Sequence, residues 1–245
     1  MNRFEGKKNI LLAVQAFSAL KKRPHIPKSL RLVLGGGYDP RLKDNVDTLA
    51  LLISESKKLG LTFTLTSPAP LPACAASHAP ETTVSSPDVT FLLNFTTAQR
   101  TFLLRDPLTL ALLYTPTNEH FGIVPIEAMS CGLPVLACNS GGPTESILVK
   151  PKEGRTGWLV EPAVDLWTEA LEEIVGLKEA ERTAMAERAR KRARGLFGME
   201  AMARGIEVAL KEAHGMGKVQ ESWIGLVHPG VWIVVLIAVF LGILW

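Results

Sequence analysis

Between Leu30 and Val160, short apolar runs alternate with stretches whose apolar residues recur at helical spacing, and glycine or proline stands in the turns between them. A chain written this way buries its strands between two layers of helix. The expected fold is α/β, a Rossmann-like doubly wound parallel sheet with helices on both faces. The runs are Ser29–Leu34, Leu61–Thr66, Val89–Leu92, Ala111–Thr115, Val135–Ala137 and Trp158–Val160. Asn9 stands where it can cap a helix carrying Ile10, Leu11, Val14, Phe17 and Leu20. A second helix is expected to open at Asp39 and Pro40, with Leu42, Val46, Leu49, Leu52 and Ile53 turned inward, and to close at Gly60. Sheets of this kind take ligands at the carboxyl edge of the strands, where Gly35, Glu119 and Gly141 would gather.

The most informative stretch is Asn118-Glu119-His120-Phe121-Gly122-Ile123-Val124-Pro125-Ile126-Glu127. It follows a buried run, and Pro125 suits the first turn of a helix that Gly132 and Pro134 stop. Gly122 lets a ligand approach the backbone, and the free N–H groups at the helix start suit a phosphate or a sugar oxygen. Glu119 and Glu127 could each accept hydrogen bonds from a hydroxyl-rich ligand. After the next run comes a second turn, Asn139-Ser140-Gly141-Gly142-Pro143-Thr144-Glu145. Taken singly, each half also reads as two acids beside an ordinary helix start, or as an ordinary glycine turn. Both together, each at the exit of a buried strand, are a stronger signal.

Glu-x7-Glu followed by a Gly-Gly turn and an acid resembles the donor-site signature of retaining glycosyltransferases with the GT-B fold. The wording Asn-Glu-His-Phe-Gly-Ile-Val-Pro-Ile-Glu-Ala-Met with Gly-Gly-Pro-Thr-Glu-Ser is most similar to the α-1,3/α-1,6-mannosyltransferases that extend the dolichol-linked oligosaccharide. The resemblance runs over most of residues 2 to 210, outside one insertion. It implies GDP-mannose as donor substrate and the dolichol-linked oligosaccharide as acceptor, at the endoplasmic reticulum membrane with the catalytic part facing the cytosol.

Residue by residue, the resemblance makes Glu119 a contact to the mannose hydroxyls and a balance for positive charge at the anomeric carbon. Phe121, Gly122 and Ile123 would present backbone N–H groups to sugar and phosphate, and Glu127 would bind the ribose hydroxyls. Arg3 and Lys8 keep the family's five-residue spacing for the cations that stabilise the departing diphosphate. Without the resemblance they read as a solvated basic loop. Gly35, Gly141 and Gly142 complete the expected donor site. No metal and no cofactor are expected, because the cations hold the diphosphate and no Asp-x-Asp motif appears. The chain departs from the family in holding only the second of the two Rossmann-like halves. A missing N-terminal half is therefore a candidate partner.

Other stretches bound the reading. Residues 67–88 are rich in Pro, Ala, Ser and Thr and are expected to loop out without order. A run holding Arg188, Arg190, Lys191, Arg192 and Arg194 is either a solvated helix face or a contact for anionic lipid headgroups. The first twenty residues, charged at Arg3, Glu5, Lys7 and Lys8, do not read as a secretory signal. From Trp223 to Trp245 there is no Lys, Arg, Asp or Glu. At about 1.5 Å per residue that tail is long enough for a hydrocarbon core of about 30 Å, so it is expected to be a membrane anchor, with docking on the protein as the alternative. The expected domains are thus 1–200 for donor binding, 201–222 for a closing helix and linker, and 223–245 for the hydrophobic segment.

A net charge of only +3 gives no call for nucleic acid. The three cysteines, Cys74, Cys131 and Cys138, show no metal or redox spacing. Two other classes stay open at this point: a membrane-tethered module without catalysis, and a transferase using a different nucleotide sugar.

Overall fold

The computed structural model describes residues 1–79 and 85–217. In chain order these form α1 (Ile10–Lys21), β1 (Leu32–Gly36), α2 (Lys43–Lys58), β2 (Phe63–Thr66), α3 (Ala73–Ala76), β3 (Val89–Leu93), α4 (Thr97–Arg105) and β4 (Leu112–Tyr114). Then come α5 (Ile123–Ser130), β5 (Val135–Cys138), α6 (Pro143–Ser146), β6 (Gly157–Val160), α7 (Val164–Val175), α8 (Glu179–Phe197) and α9 (Met199–Gly215). Met1–Gly198 is one compact unit, and α9 belongs to a second.

Every strand pairing is parallel, as the alternation requires. One continuous sheet was expected, but the described strands form two of three strands each, ordered β1-β3-β2 and β4-β5-β6. Met1–Phe4 lies along the end of β1, with Asn2 N–H donating to Gly35 O at 3.1 Å and Phe4 N–H to Gly37 O at 3.0 Å. Two ladder bonds do not make a strand, so nothing among the described residues links β1 to β4 through a continuous ladder.

Helices cover both faces. Along β5 the side chains alternate: Val135 and Ala137 pack with Ala128 and Met129 of α5 and Ala189 and Ala193 of α8. Leu136 and Cys138 point the other way, into a cluster with Leu12, Ala16, Trp167 and Leu171. All four β5 residues are buried, which is why the run reads as continuously apolar rather than alternating. α1 serves both sheets. Ile10, Val14 and Phe17 join the core of the first, while Leu12, Ala16 and Leu20 join that of the second.

Several expectations change in detail. Asn9 does precede α1, but in the left-handed region at φ 48° and with no side-chain cap bond, a conformation Asn tolerates. α2 opens at Lys43 rather than Asp39, because the Asp39 carboxylate bonds the Arg41 N–H at 2.9 Å and holds a turn there. The span 67–88 is not free of the core. α3 forms within it, Ala75 is fully buried, and Leu71 and Cys74 pack on the first cluster. Small side chains are what fit beneath Tyr38, whose hydroxyl lies 3.2 Å from Cys74 Sγ.

The basic run of α8 is solvated only in part, with Lys191 and Arg194 exposed, and its other members do something neither reading includes. Arg188 Nε donates to Arg155 O at 3.0 Å, Arg190 Nη2 to Cys131 O at 3.1 Å, and Arg192 Nε to Ser146 O at 2.7 Å. These guanidiniums hold backbone carbonyls, two of the three at the ends of short helices, where a cation also complements the helix dipole. Among the described residues no helix is long and apolar enough to cross a membrane. The expected tail segment, 223–245, lies outside the described residues.

Candidate active site

β4 delivers the chain into a loop, residues 115–122, that is anchored at three points. Thr115, buried, donates its hydroxyl to Lys8 O at 2.7 Å. Asn118 N–H donates to Ser140 Oγ at 3.1 Å, and Gly142 N–H to Glu119 O at 2.7 Å. Gly122 then turns the chain into α5 at φ +81°, with Tyr114 Oη 3.1 Å from where a Cβ would sit. Burial, then the nearby Glu119 carboxylate, pushes the Tyr114 phenol up to about 12.

The glycine pair is the bed on which this loop lies. A Cβ on Gly141 would stand 2.2 Å from Glu119 O, and one on Gly142 would stand 2.3 Å from both Cα and O of Phe121. Only glycine permits backbones so close. The observed contact of Gly141 and Gly142 is therefore with the acid-bearing loop, and the Gly142 N–H is engaged there.

The Glu119 carboxylate makes an ion pair with Lys8, 111 positions earlier in the chain, with both side chains largely covered. Glu127, on α5, pairs with Arg100 of α4 at 2.8 Å. Beside that pair opens a cavity of about 360 Å³, lined among others by Arg3, Gly37, Phe95, Arg100, Val124 and Glu127. Of the expected residues, Arg3 and Glu127 thus share this cavity. Lys8 and Glu119 meet each other, and Phe121 meets Gly142. Phe121 also packs its ring edge-on against Phe197, centroids 5.5 Å apart, while Ile123 is 63% exposed.

Gly35 does not line this cavity. It lies inside β1, in register with Leu92, and a Cβ there would meet the Phe95 ring at 3.1 Å. The strand runs two residues further than expected, to Gly36, and Gly37 is the glycine that reaches the cavity. Phe95, Thr97 and Arg100 were missed, although a signal existed. They follow a buried strand directly, and Thr96 with Gln99 forms a capping box that fixes where α4 begins. Among the described residues no three His, Cys, Asp or Glu side chains gather as a metal would need.

Lys8 pairs with Glu119, while Arg3 pairs with Glu5 at 3.1 Å and shares the cavity with Glu127; cations and carboxylates of this kind suit a ligand that is anionic at one end and hydroxyl-rich at the other. Residues 86–192 match the protein family described as glycosyl transferases group 1. The chain is 41% identical over 218 residues to the alpha-1,3/1,6-mannosyltransferase ALG2 of Rhizomucor pusillus, across 86% of this chain and 44% of that protein. Over residues 86–192 the chain is thus similar to glycosyl transferases group 1, and over most of its length to such mannosyltransferases.

The fold agrees. The sucrose-phosphate synthase of Thermosynechococcus elongatus matches at a TM-score of 0.64 and 23% identity, over 88% of this chain and 44% of that one. The C-terminal domain of a glycosyl transferase group 1 family protein, LpcC of Francisella tularensis, matches at 0.58 and 18%, over 81% of this chain and 84% of that domain. The chain spans about half the length of the curated relatives it matches. The matched range holds Glu119, Glu127, Gly141 and Gly142, whereas Arg3, Lys8 and Gly35 precede it.

Proposed function

We propose that this chain is the donor-binding half of a retaining mannosyltransferase that takes mannose from GDP-mannose and adds it to a dolichol-linked oligosaccharide. The observation that carries the reading is the ion pair between Lys8 and Glu119, together with a cavity that Arg3 and Glu127 share. In this reading, opposite charges meet the charges that the reaction develops. As the glycosidic bond breaks, negative charge grows on the diphosphate and positive charge on the anomeric carbon.

In this reading Glu127 receives the ribose hydroxyls, exchanging its bond to Arg100 for them. Arg3 and Lys8 hold the diphosphate, and Lys8 leaves Glu119 to do so. Glu119 then faces the mannose hydroxyls and balances the cationic carbon. Phe121, Gly122 and Ile123 offer backbone N–H groups to the sugar. Because these cations serve the diphosphate, the proposal includes no metal and no cofactor. Retention follows from front-face attack, with no enzyme nucleophile. The enzyme would work at the endoplasmic reticulum membrane with this half in the cytosol, held there by residues 223–245, and would need a second Rossmann-like half to place the acceptor.

Titration calorimetry of the chain with GDP-mannose, UDP-glucose and GDP tests this. The expected result is binding of GDP-mannose in preference to UDP-glucose, abolished in Glu127→Ala, with no mannosyl transfer by this chain alone. A folded protein that releases no heat with any nucleotide sugar would refute the donor site and favour an interaction module. Stronger binding of UDP-glucose would replace the donor.

A further inference from the structure

α6 is a single turn, yet it carries the glycine pair on which the acid loop rests, and its far end is held by one side chain. Arg192 reaches from α8 to donate Nε to Ser146 O and Nη2 to Glu145 O, both at 2.7 Å. These are the last two carbonyls of the helix, the acceptors that a helix end leaves without partners of its own. A charged fork onto two carbonyls is among the stronger hydrogen-bonded arrangements. From there a continuous path runs forward. Gly142 is the residue just before α6, its N–H holds Glu119 O at 2.7 Å, and the Glu119 side chain meets Lys8.

We propose that Arg192 is a positioning residue for Glu119: from behind α6 it fixes the glycine pair, and through the Gly142 N–H it fixes the backbone that aims the acid. The proposal deepens the donor-site reading and rests on it for what Glu119 does. Arg192 touches no part of the cavity, and its effect passes entirely through main-chain bonds. α8 itself is anchored independently, by Ala189 and Ala193 buried among Met129, Val135 and Ile147. Removing one guanidinium therefore leaves α8 docked. Arg188 is the internal control, since it makes the same kind of bond to Arg155 O, away from this loop.

The experiment compares the full chain with Arg192→Ala, Arg192→Lys and Arg188→Ala. Exchange of the Gly142 amide hydrogen is measured with calorimetry of GDP-mannose and thermal melting. Losing charge-assisted bonds predicts about tenfold faster Gly142 exchange and about tenfold weaker donor binding in Arg192→Ala. Arg192→Lys recovers part of both, because one ammonium replaces a two-pronged fork. Arg188→Ala lowers the melting temperature comparably and changes neither. Unchanged Gly142 exchange in Arg192→Ala overturns the proposal, as does equal acceleration in Arg188→Ala. If the unaltered chain binds no nucleotide sugar, the donor-site reading fails, and the exchange measurement still decides whether Arg192 positions the loop.

Discussion

Gly142→Ala is the sharpest single test of how the site is built, because the added methyl group has nowhere to go. Its Cβ would lie 2.3 Å from Cα and O of Phe121 and 2.6 Å from the carbonyl carbon. Carbon atoms rest about 3.5–4.0 Å apart, so the two backbones must part by more than about 1 Å. Overpacking of this kind costs about 1–3 kcal/mol, against which a Gly-to-Ala change gains about 0.4–1 kcal/mol from the unfolded chain. That gain applies in full because Gly142 sits at φ −53°, ψ −34°, where alanine is at ease. The net expectation is a loss of up to about 2.5 kcal/mol in urea denaturation. Donor affinity should fall further, by roughly tenfold to a hundredfold, since the Gly142 bond to Glu119 O opens and the acid loses its aim. Gly195→Ala is the contrast. It lies in α8 with nothing within 4 Å, so it should stabilise by about 0.5–1 kcal/mol and leave binding alone. If Gly142→Ala melts and binds like the unaltered chain, close loop packing is not what the glycine pair provides.

Two further predictions concern the scaffold. Asp88, just before β3, is partly buried, which raises its pKa, but Lys21 Nζ at 2.5 Å and the Thr62 hydroxyl and N–H outweigh burial and leave it lowered. A carboxyl with a folded pKa below its unfolded value of about 3.9 contributes stability above that pH and loses it as the pH falls through the folded pKa. Asp88→Asn should therefore flatten the acid limb of the stability profile below about pH 4, with little change in its shape above about pH 6; an acid limb identical to that of the unaltered chain would refute the assignment. Ala75→Asp should cost about 2 kcal/mol or more in chemical denaturation, because Ala75 is fully buried within a stretch whose composition suggests disorder. A neutral result would return residues 67–88 to the unordered reading.

The strands were legible because parallel strands covered on both faces must be apolar throughout, and Val135-Leu136-Ala137-Cys138 shows it in four residues. The turn into α5 was legible because Gly122 needs positive φ and Pro125 fits an early helical position. What stayed hidden has a common cause. The arginines of α8 bind backbone carbonyls, and a carbonyl leaves no mark in a sequence. Which of Gly35, Gly36 and Gly37 faces the cavity depends on where the β1 ladder ends, and that register is set by β3, over fifty positions away. The meeting of Lys8 with Glu119 spans still more chain, and only the family resemblance placed both residues at one site.

The site's dimensions are set by a helix that contributes nothing to its surface. One wall of the cavity, Gly37 and Arg3, belongs to the β1 side, and the other, Val124 and Glu127, belongs to α5 on the β4 side. Among the described residues no continuous ladder joins β1 to β4, so hydrogen bonding between described strands does not fix the gap between these walls. α1 does. Val14 and Phe17 seat it on the first sheet and Ala16 and Leu20 seat it on the second, while Leu113 of β4 packs against both cores. Cores packed at crystal-like density transmit a change of even one methylene, so altering the inward residues of α1 shifts one wall against the other. The distance between the groups assigned to phosphate and those assigned to ribose is thus a property of side-chain packing behind the sheets. Tuning of the donor site need not involve any residue that touches the donor.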